Sequence, residues 1–371
     1  MAVFDQFAID VMSGKRRGFR AACLSALLSG VEPFYSGATT FRNFLFERGI
    51  RRSADLGRPV ISIGNITTGG TGKTPMVRWL AAKLRDDGHR VAVLSRGYKS
   101  AAGQLGDEQI MLDRQLNSPG SAPIHFAAHP SRQHAAADVL SKHPQTNVFI
   151  LDDGFQHRAA RRDLDIVLIS AAEPFGFGHV LPRGLLREPL RGLARAGALV
   201  MTHADRASDS QLQQIEQTIR THNSSSPIYR ARHAIAGLRS ADGSTIELRD
   251  QSVFAFCGIA NPQLFERQIE AAGAKVAGHQ WFADHHRYTP DDLKRLTEAA
   301  SAARATAMLT TEKDWAKLAD LPGIDRTAIP IWRVDIAIEF FGEDEQRLFQ
   351  YVQRTIENRS PRRHGDTEAR S

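Results

Sequence analysis

The chain has 371 residues, of which 42% are hydrophobic and 24% are charged, and its formal net charge is +7. This length and composition allow a large core and two domains and exclude an intrinsically disordered protein. The sequence has no run of 18 apolar residues and only two cysteines, Cys23 and Cys257, which argues against a bilayer-spanning helix and against a disulfide-rich secreted protein. The positive charge favours an anionic partner, such as a nucleic acid, a membrane surface or a phosphorylated substrate.

The N-terminal segment combines basic charge with bulky apolar side chains. Between residues 15 and 52 there are eight Lys or Arg residues and two Glu residues. Apolar residues spaced as on one face of a helix predict an amphipathic helix over residues 17–35, namely Leu24, Leu27, Leu28 and Val31. Such a helix either lies in a membrane interface or packs on the protein's own core with a solvated basic face, and the spacing alone is compatible with both.

The next element is a buried strand, a glycine-rich turn and a helix from Thr74 to about Arg85. This order is typical of a phosphate-binding loop, in which backbone N–H groups and the helix N-terminus face the phosphates. Lys73 would reach the β- and γ-phosphates and the Thr74 hydroxyl would contact Mg²⁺. The general pattern has a glycine six residues before the lysine, where this chain has Thr67. The residues predicted to bind the nucleotide are Thr67, Thr68, Gly69, Gly70, Thr71, Gly72, Lys73 and Thr74.

Short apolar runs alternate with helical patterns from Val60 to about Thr202, which predicts a mostly parallel sheet covered by helices. A helix is expected over 209–222, then two strands around 228–236 and 245–248, and then a second α/β unit that ends in a helix from about Glu343. The predicted fold is a P-loop α/β/α sandwich with a second, smaller α/β domain joined by a two-stranded connector. The predicted boundaries are an N-terminal helical segment at 1–58, the P-loop domain at 59–226, the connector at 227–250, the second domain at 251–357 and a disordered tail at 358–371.

Two charged motifs follow strands of the predicted sheet. In VFILDDGFQH, an apolar strand ends at Asp152 and Asp153, and strand-end acids beside a phosphate loop hold Mg²⁺ directly or through water. The alternative is a simple Asp-Asp-Gly turn. In LPRGLLREP, Arg183, Arg187 and Glu188 could clamp a phosphoryl group and add a third carboxylate, or they could simply be solvated.

Candidates for a catalytic base occur in GDE, at Asp107, and in FADHHRY. Phosphoryl transfer to a hydroxyl benefits from a positioned base, and a carboxylate paired with a histidine would serve. Zinc is not favoured at the adjacent histidines, because no cysteine or third histidine stands at zinc-ligand spacing. In LTTEKD, Thr311 could cap the following helix, and a ligand role is the other possibility.

These motifs together resemble one family, the tetraacyldisaccharide 4′-kinases of lipid A biosynthesis. The matching strings, in order, are PVISIGNITTGGTGKTP, SRGY, GDE, LDDGFQHR, LPRGLLREPL, FADHH and LTTEKD, and they span residues 59 to 314. Thr67 is also usual in this family. The resemblance implies ATP- and Mg²⁺-dependent phosphorylation of the 4′-hydroxyl of a lipid A precursor disaccharide, at the cytosolic face of the bacterial inner membrane.

The resemblance also implies roles for individual residues. Asp152, Asp153, Glu188 and Thr74 would hold or orient Mg²⁺. Arg187 and Arg132 would stabilise the transferred phosphoryl group, and Asp107 paired with His285 would be the base. Since Asp107 precedes the Mg²⁺ carboxylates and His285 lies in the second domain, this dyad would form only when the domains close on substrate. The basic, apolar N-terminal helix would lie on the anionic membrane surface.

Two other classes of protein remain as alternatives. Partitioning and assembly ATPases also use a GGxGKT loop, but they normally have a lysine before the glycine pair, where this chain has Thr68. A nucleic-acid binder is favoured by the charge alone. The basic residues near the N-terminus of this chain, however, are interleaved with bulky apolar ones, and the sequence has no nucleic-acid recognition motif.

Overall fold

The computed structural model describes residues 6–97, 107–117, 120–240, 244–259, 262–283, 286–319, 321–324 and 327–359. Over these residues the helices are α1 (Gln6–Met12), α2 (Phe19–Glu47), α3 (Lys73–Asp86), α4 (Asp107–Leu116), α5 (Arg132–Lys142), α6 (Asp209–His222), α7 (Pro262–Ala271), α8 (Pro290–Ala302), α9 (Glu312–Leu318) and α10 (Asp344–Arg359). The strands are β1 (Val60–Asn65), β2 (Val91–Ser95), β3 (His125–Ala128), β4 (Val148–Asp152), β5 (Leu164–Ser170), β6 (Ala198–Thr202), β7 (Ile228–Arg239), β8 (Thr245–Ile246), β9 (Ser252–Cys257), β10 (Lys275–Trp281), β11 (Ala307–Thr311) and β12 (Ile331–Phe340).

The contacts divide the chain into two compact units. The first contains Met1–Gln104, Pro119–Arg232 and Glu339–Ser371, and the second contains Leu105–Ser118 and His233–Ile338. This division differs from the predicted boundaries at two helices. Helix α4 is grouped with the second unit because it packs against α9. Helix α10 is grouped with the first, because Glu345 accepts a hydrogen bond from the Trp79 indole of α3 at 3.0 Å.

The first unit has a parallel sheet with the strand order β3-β2-β4-β1-β5-β6-β7. Helix α5 packs against Phe149 and Leu151 of β4. Helix α3 also contacts β1, β2 and β4, but none of its buried side chains belongs to the cluster that contains these two residues. Because successive side chains of a strand point to opposite faces, α3 and α5 lie on opposite faces of the sheet. This arrangement confirms the predicted α/β/α sandwich.

The second unit has its own parallel strands in the order β10-β9-β11-β12. One apolar cluster packs α8 and α9 on this sheet, and another contains Phe265 and Ile269 of α7. The antiparallel pair of β7 and β8, with Leu238 opposite Ile246, corresponds to the predicted connector.

The N-terminal helix is longer than the predicted span. Helix α2 continues through Pro33 to Glu47, although a proline inside a helix removes one backbone hydrogen bond. Side-chain contacts attach the helix to a distant segment of the chain on both sides of Pro33. Glu32 accepts a hydrogen bond from the Val180 backbone N–H at 3.0 Å, and the Tyr35 hydroxyl donates to the Arg187 carbonyl at 3.1 Å. The helix is therefore held from the side by the segment that precedes Glu188.

Candidate active site

The site begins at the carboxyl end of β1, in the centre of the first unit's sheet. There Ile63 is paired with Asp152, so the end of β1 lies beside the acid that ends β4 and the one that follows it. The turn after β1 leads to Gly72, which has φ of 85° and immediately precedes α3. Glycine adopts this left-handed conformation without strain, and at the N-cap it supplies no side-chain acceptor. The first N–H groups of α3 are therefore oriented as in an anion-binding helix terminus.

Backbone pairing fixes the glycine-rich turn against the LREP segment. The Thr68 N–H donates to the Leu185 carbonyl at 2.8 Å, and the Arg187 N–H donates to the Ile66 carbonyl at 2.7 Å. On the other side of the turn, the Thr202 hydroxyl donates to the Thr71 carbonyl at 2.9 Å. These bonds bring Arg187 to the loop even though more than 110 residues separate it from Lys73 in sequence.

The Lys73 ammonium lies among oxygen acceptors at the edge of the loop. It donates to the Asn65 side-chain oxygen at 3.2 Å and lies 3.6 Å from Asp153 Oδ1. Asn65 is fully buried, and its amide also donates to the Thr71 hydroxyl at 2.9 Å. Asn65 therefore ties the lysine to the loop.

Asp153 bridges the two cations that face the loop. Arg187 Nη1 lies 2.8 Å from each carboxylate oxygen of Asp153, in addition to the contact with Lys73. Burial acts to raise the pKa of Asp153, but the charges of Lys73 and Arg187 outweigh it and hold that pKa below its ordinary value. The turn is tight, since a Cβ at Gly154 would lie 2.6 Å from the Ser62 hydroxyl oxygen. Only glycine therefore fits after Asp153.

Arg132 is the second predicted phosphoryl-binding cation, and it lies at the start of α5. Its side chain is buried and donates to the carbonyls of His129 at 3.1 Å and Asp152 at 3.4 Å. Burial lowers the pKa of Arg132 to about 10, an effect that the charges of Asp152 and Asp153 partly oppose. The guanidinium thus keeps its positive charge at neutral pH beside the strand-end acids.

Glu188, which the sequence predicts to hold or orient Mg²⁺, lies among protein hydrogen-bond donors. Its side chain is fully buried, and both carboxylate oxygens accept hydrogen bonds from Arg195 Nη2, at 2.9 and 2.8 Å. It also accepts from Asn43 Nδ2 at 2.8 Å and from Gln156 Nε2 at 3.1 Å. These four bonds engage the carboxylate with protein donors.

Two other predicted metal ligands lie at the same edge of the sheet as the loop. Thr74 lies in the first turn of α3, and Asp152 is the last residue of β4. Within the described part of the chain, no three His, Cys, Asp or Glu side chains are grouped closely enough to form a metal cage. Mg²⁺ in phosphoryl-transfer sites is usually held by one or two carboxylates together with the substrate phosphates, and a donor set of the Thr74 hydroxyl with Asp152 and Asp153 fits that pattern.

Comparison with known proteins identifies the family of this chain. A sequence profile described as Tetraacyldisaccharide-1-P 4'-kinase matches residues 24–357. The chain belongs to the tetraacyldisaccharide-1-P 4'-kinase family. This membership confirms the family predicted from the motifs and does not favour a partitioning or assembly ATPase.

Relatives of this kinase family match most of the chain. The tetraacyldisaccharide 4'-kinase of Anaeromyxobacter sp. (strain K) is 38% identical over 342 residues, which cover 86% of this chain and 89% of the relative. The corresponding enzyme of Halothermothrix orenii is 34% identical, with 84% and 88% covered. The crystal structure of "apo" form LpxK from Aquifex aeolicus in complex with ATP has a TM-score of 0.71 at 28% identity, covering 90% of this chain and 99% of that one.

The predicted base pair of this kinase can be located only in part. Asp107 begins α4, and its side chain and the whole of His285 lie outside the described residues. The sequence assigned Asp107 to the first domain, whereas the contacts group α4 with the second unit. The contacts therefore do not support the premise that the two residues belong to different domains and meet only when the domains close, and the dyad itself stays a prediction.

Three polar residues of the site carry contacts that the sequence analysis did not assign. Asn65 binds Lys73, Gln156 binds Glu188, and Asn43 reaches Glu188 from α2. Asn65 and Gln156 lie inside the motifs ISIGN and DDGFQH, and their place in these motifs could have indicated a role in the site. Asn43 stands in an ordinary helical sequence, and nothing in its neighbours indicates a buried contact 145 positions away.

His157, the last residue of DDGFQH, supports a prediction about acid stability. Burial, together with the charges of Arg132, Arg162 and Arg96, lowers the pKa of His157 to about 4. An unfolded histidine titrates near pH 6.5, so between pH 6.5 and 4 the unfolded chain binds a proton that the native protein does not. Stability is lost as the pH falls through this window. Between pH 7 and 4.5 the wild type should lose about 2 kcal/mol more of its free energy of unfolding than His157→Gln does, as measured by denaturant titration. The same pH dependence of the free energy of unfolding in both proteins would contradict the lowered pKa of His157.

Proposed function

We propose that this kinase transfers the γ-phosphate of ATP to the 4′-hydroxyl of a tetraacyldisaccharide 1-phosphate in lipid A biosynthesis. The observation that carries the proposal is the convergence of Lys73, Asp153 and Arg187 at the loop between β1 and α3, in a chain that belongs to this family. Two cations and a strand-end acid at a helix N-terminus suit a triphosphate better than a neutral ligand.

The loop residues would bind ATP through their backbone N–H groups, with Lys73 between the β- and γ-phosphates. Negative charge develops on the oxygens of the phosphoryl group during transfer, and fixed cations stabilise it. Arg187 would reach the phosphoryl group by exchanging its contact with Asp153, and Arg132 would supply charge from the side of β4. When bound, Mg²⁺ would neutralise the phosphate oxygens, held by the Thr74 hydroxyl and the carboxylates of Asp152 and Asp153.

The acceptor hydroxyl needs a group that takes its proton. We assign this role to Asp107, with His285 orienting it or sharing the charge, because the motifs GDE and FADHH match the family. Proton transfer of this kind contributes typically about 10²–10⁴-fold to a rate.

We also propose that α2 places the enzyme on the cytoplasmic surface of the inner membrane. Large apolar side chains of this helix are exposed to solvent, including Phe34 at 79% and Phe41 at 61%. Exposed basic residues precede or begin the helix, namely Lys15, Arg16, Arg17 and Arg20. An apolar helix face beside a basic cluster is typical of helices that lie in the interface of an anionic membrane. None of the helices in the described residues has the length and hydropathy that crossing a bilayer requires.

Replacing the exposed phenylalanines should weaken membrane binding without impairing the chemistry. Burying one such side chain contributes about 1.5–3 kcal/mol. We expect Phe34→Ser/Phe41→Ser to lower the partition coefficient onto vesicles containing phosphatidylglycerol by about 10²-fold or more, with kcat in detergent micelles unchanged. The matched control is Phe341→Ser, because Phe341 is also exposed, at 39%, but lies outside α2. Equal sedimentation of the wild type and the double variant would overturn the membrane assignment.

The proposed reaction is distinguished from an ATPase switch by its dependence on the acceptor. ADP release is measured in a coupled assay with Mg²⁺ and detergent, with and without the disaccharide 1-phosphate. The kinase predicts that ADP forms in proportion to added disaccharide. ADP formation at the same rate without acceptor would instead support the ATPase alternative.

A further inference from the structure

A chain of hydrogen bonds runs from the N-terminal helix to the nucleotide-binding lysine. It begins at Asn43 of α2, whose amide donates to Glu188 Oε2 at 2.8 Å. Gln156 Nε2 donates to the other Glu188 oxygen at 3.1 Å, while Gln156 Oε1 accepts from Arg187 Nη1 at 3.4 Å. Arg187 then binds Asp153, which contacts Lys73.

Most links of this chain are buried or partly buried, so their contacts are not easily exchanged for water, whereas the Asp153 side chain is 40% exposed. Glu188 is fully buried, Asn43 is 8% exposed, and the side chains of Arg187 and Lys73 are each 18% exposed. A buried carboxylate is costly unless every oxygen is paired. Glu188 Oε2 accepts from both Asn43 and Arg195, so removing the Asn43 amide takes away one of these two donors and weakens the orientation of the carboxylate.

Helix α2 also touches the backbone of the same segment. The Tyr35 hydroxyl donates to the carbonyl of Arg187. Arg195 forms an ion pair with Glu188. Arg187 is thus held by its backbone to Tyr35 and by its side chain, through Gln156 and Glu188, to Asn43. The helix with the exposed apolar face therefore also contacts Arg187 and Glu188 of the candidate active site.

We propose that Asn43 and Glu188 are positioning residues for Arg187, and that Glu188 acts through this network rather than as a Mg²⁺ ligand. The inference rests on the proposed kinase function. Neither residue needs to touch substrate. Asn43 orients the buried carboxylate, the carboxylate orients Gln156, and Gln156 holds Arg187 where it can move from Asp153 to the transferred phosphoryl group. Docking of α2 on a membrane would then be coupled to the geometry of catalysis.

The first test compares Asn43→Ala with Thr39→Ala. Thr39 is buried on the same helix one turn earlier, but its hydroxyl donates to the carbonyls of Tyr35 and Ser36 within α2. We expect Asn43→Ala to lower kcat in detergent by about tenfold or more, with KM for ATP within twofold and vesicle binding unchanged. Thr39→Ala should keep the wild-type kcat. Equal kcat for Asn43→Ala and the wild type would overturn the proposal, as would a change confined to vesicle binding.

The second test separates a positioning role from metal binding at Glu188. Glu188→Gln should lower kcat while the Mg²⁺ concentration for half-maximal activity, and the rise in melting temperature caused by ATP with Mg²⁺, stay as in the wild type. A Mg²⁺ half-saturation at least tenfold higher, or loss of the melting-temperature shift, would show that Glu188 is a ligand.

The third test addresses the contact between Asn43 and Glu188 by exchanging the amide and the carboxylate. Asn43→Asp places a second carboxylate against Glu188, and we expect the largest loss of kcat in this variant. In Asn43→Asp/Glu188→Gln the amide and the carboxylate change places, and kcat should recover at least about fivefold relative to Asn43→Asp alone. If the loss of kcat in the double variant equals the combined losses of Asn43→Asp and Glu188→Gln, the direct contact is contradicted. If the wild type itself fails to phosphorylate the disaccharide, the proposed function fails instead.

Discussion

Lys73→Ala is expected to lower kcat by at least about 10²–10³-fold, because one lost donor to a charge that develops in the transition state costs about 2.7–4 kcal/mol. The lysine ammonium is held by Asn65 at 3.2 Å and faces Asp153 at 3.6 Å. No other lysine of the described residues begins a helix after a glycine-rich turn. The measurement is the single-turnover rate of transfer from ATP to the disaccharide in detergent.

The control for Lys73 is Lys83→Ala on the same helix. Lys83 forms a half-exposed ion pair with Glu345 at 2.9 Å, and such pairs contribute only about 0–1 kcal/mol to stability. We expect wild-type turnover in Lys83→Ala and an unchanged circular dichroism spectrum in both variants. Turnover near the wild-type rate in Lys73→Ala would disprove the assignment of the loop.

Removal of either member of the predicted dyad should lower kcat by roughly 10²–10⁴-fold with little change in ATP binding. Asp107→Asn removes the group that accepts the hydroxyl proton, and His285→Ala removes its partner. Because the two groups act as a unit, the double variant should be little worse than the more impaired single variant. The measurement is kcat for all three variants, with nucleotide affinity from equilibrium binding.

His286→Ala is the matched control for His285. Its ring nitrogen Nε2 lies 3.0 Å from Asp292 Oδ2, and Asp292 forms the capping box of α8 with Thr289. His286 therefore has a structural partner at a helix terminus, and its loss should affect stability more than turnover. A larger loss of kcat at His286 than at His285, or fully additive losses in the double variant, would contradict the dyad.

The parts of the site that local sequence determines were predictable. The strand–turn–helix order at the loop and the two acids at the end of β4 follow from short motifs, and the parallel sheet brings the loop and the acids together. Lys73 and Asp153 meet because β1 and β4 are neighbours, with Ile63 opposite Asp152. The pairing of β1 with β4 is expected for this fold class.

The parts that depend on distant packing were not predictable. The hydrogen bonds of Glu188 with Arg195, Asn43 and Gln156 depend on residues that are distant in sequence or lie in another element, so the motif alone did not indicate them. Helix α10 follows the second unit in sequence and nevertheless packs with the first, through the contact of Trp79 with Glu345. Strand β3 is only four residues long and its side chains are mostly half-buried, so it lacks the continuous apolar run by which the central strands were recognised.

The most direct test of the central claim is to follow the γ-phosphate itself. The protein is incubated with ATP labelled at the γ-phosphate, Mg²⁺ and the tetraacyldisaccharide 1-phosphate in detergent, and the lipid product is analysed by mass spectrometry and by NMR at the 4′ position. The account predicts a labelled product that carries one added phosphate on the 4′-oxygen, formed by the wild type and not by Lys73→Ala. Label found only in inorganic phosphate, or on a different position of the disaccharide, would contradict it.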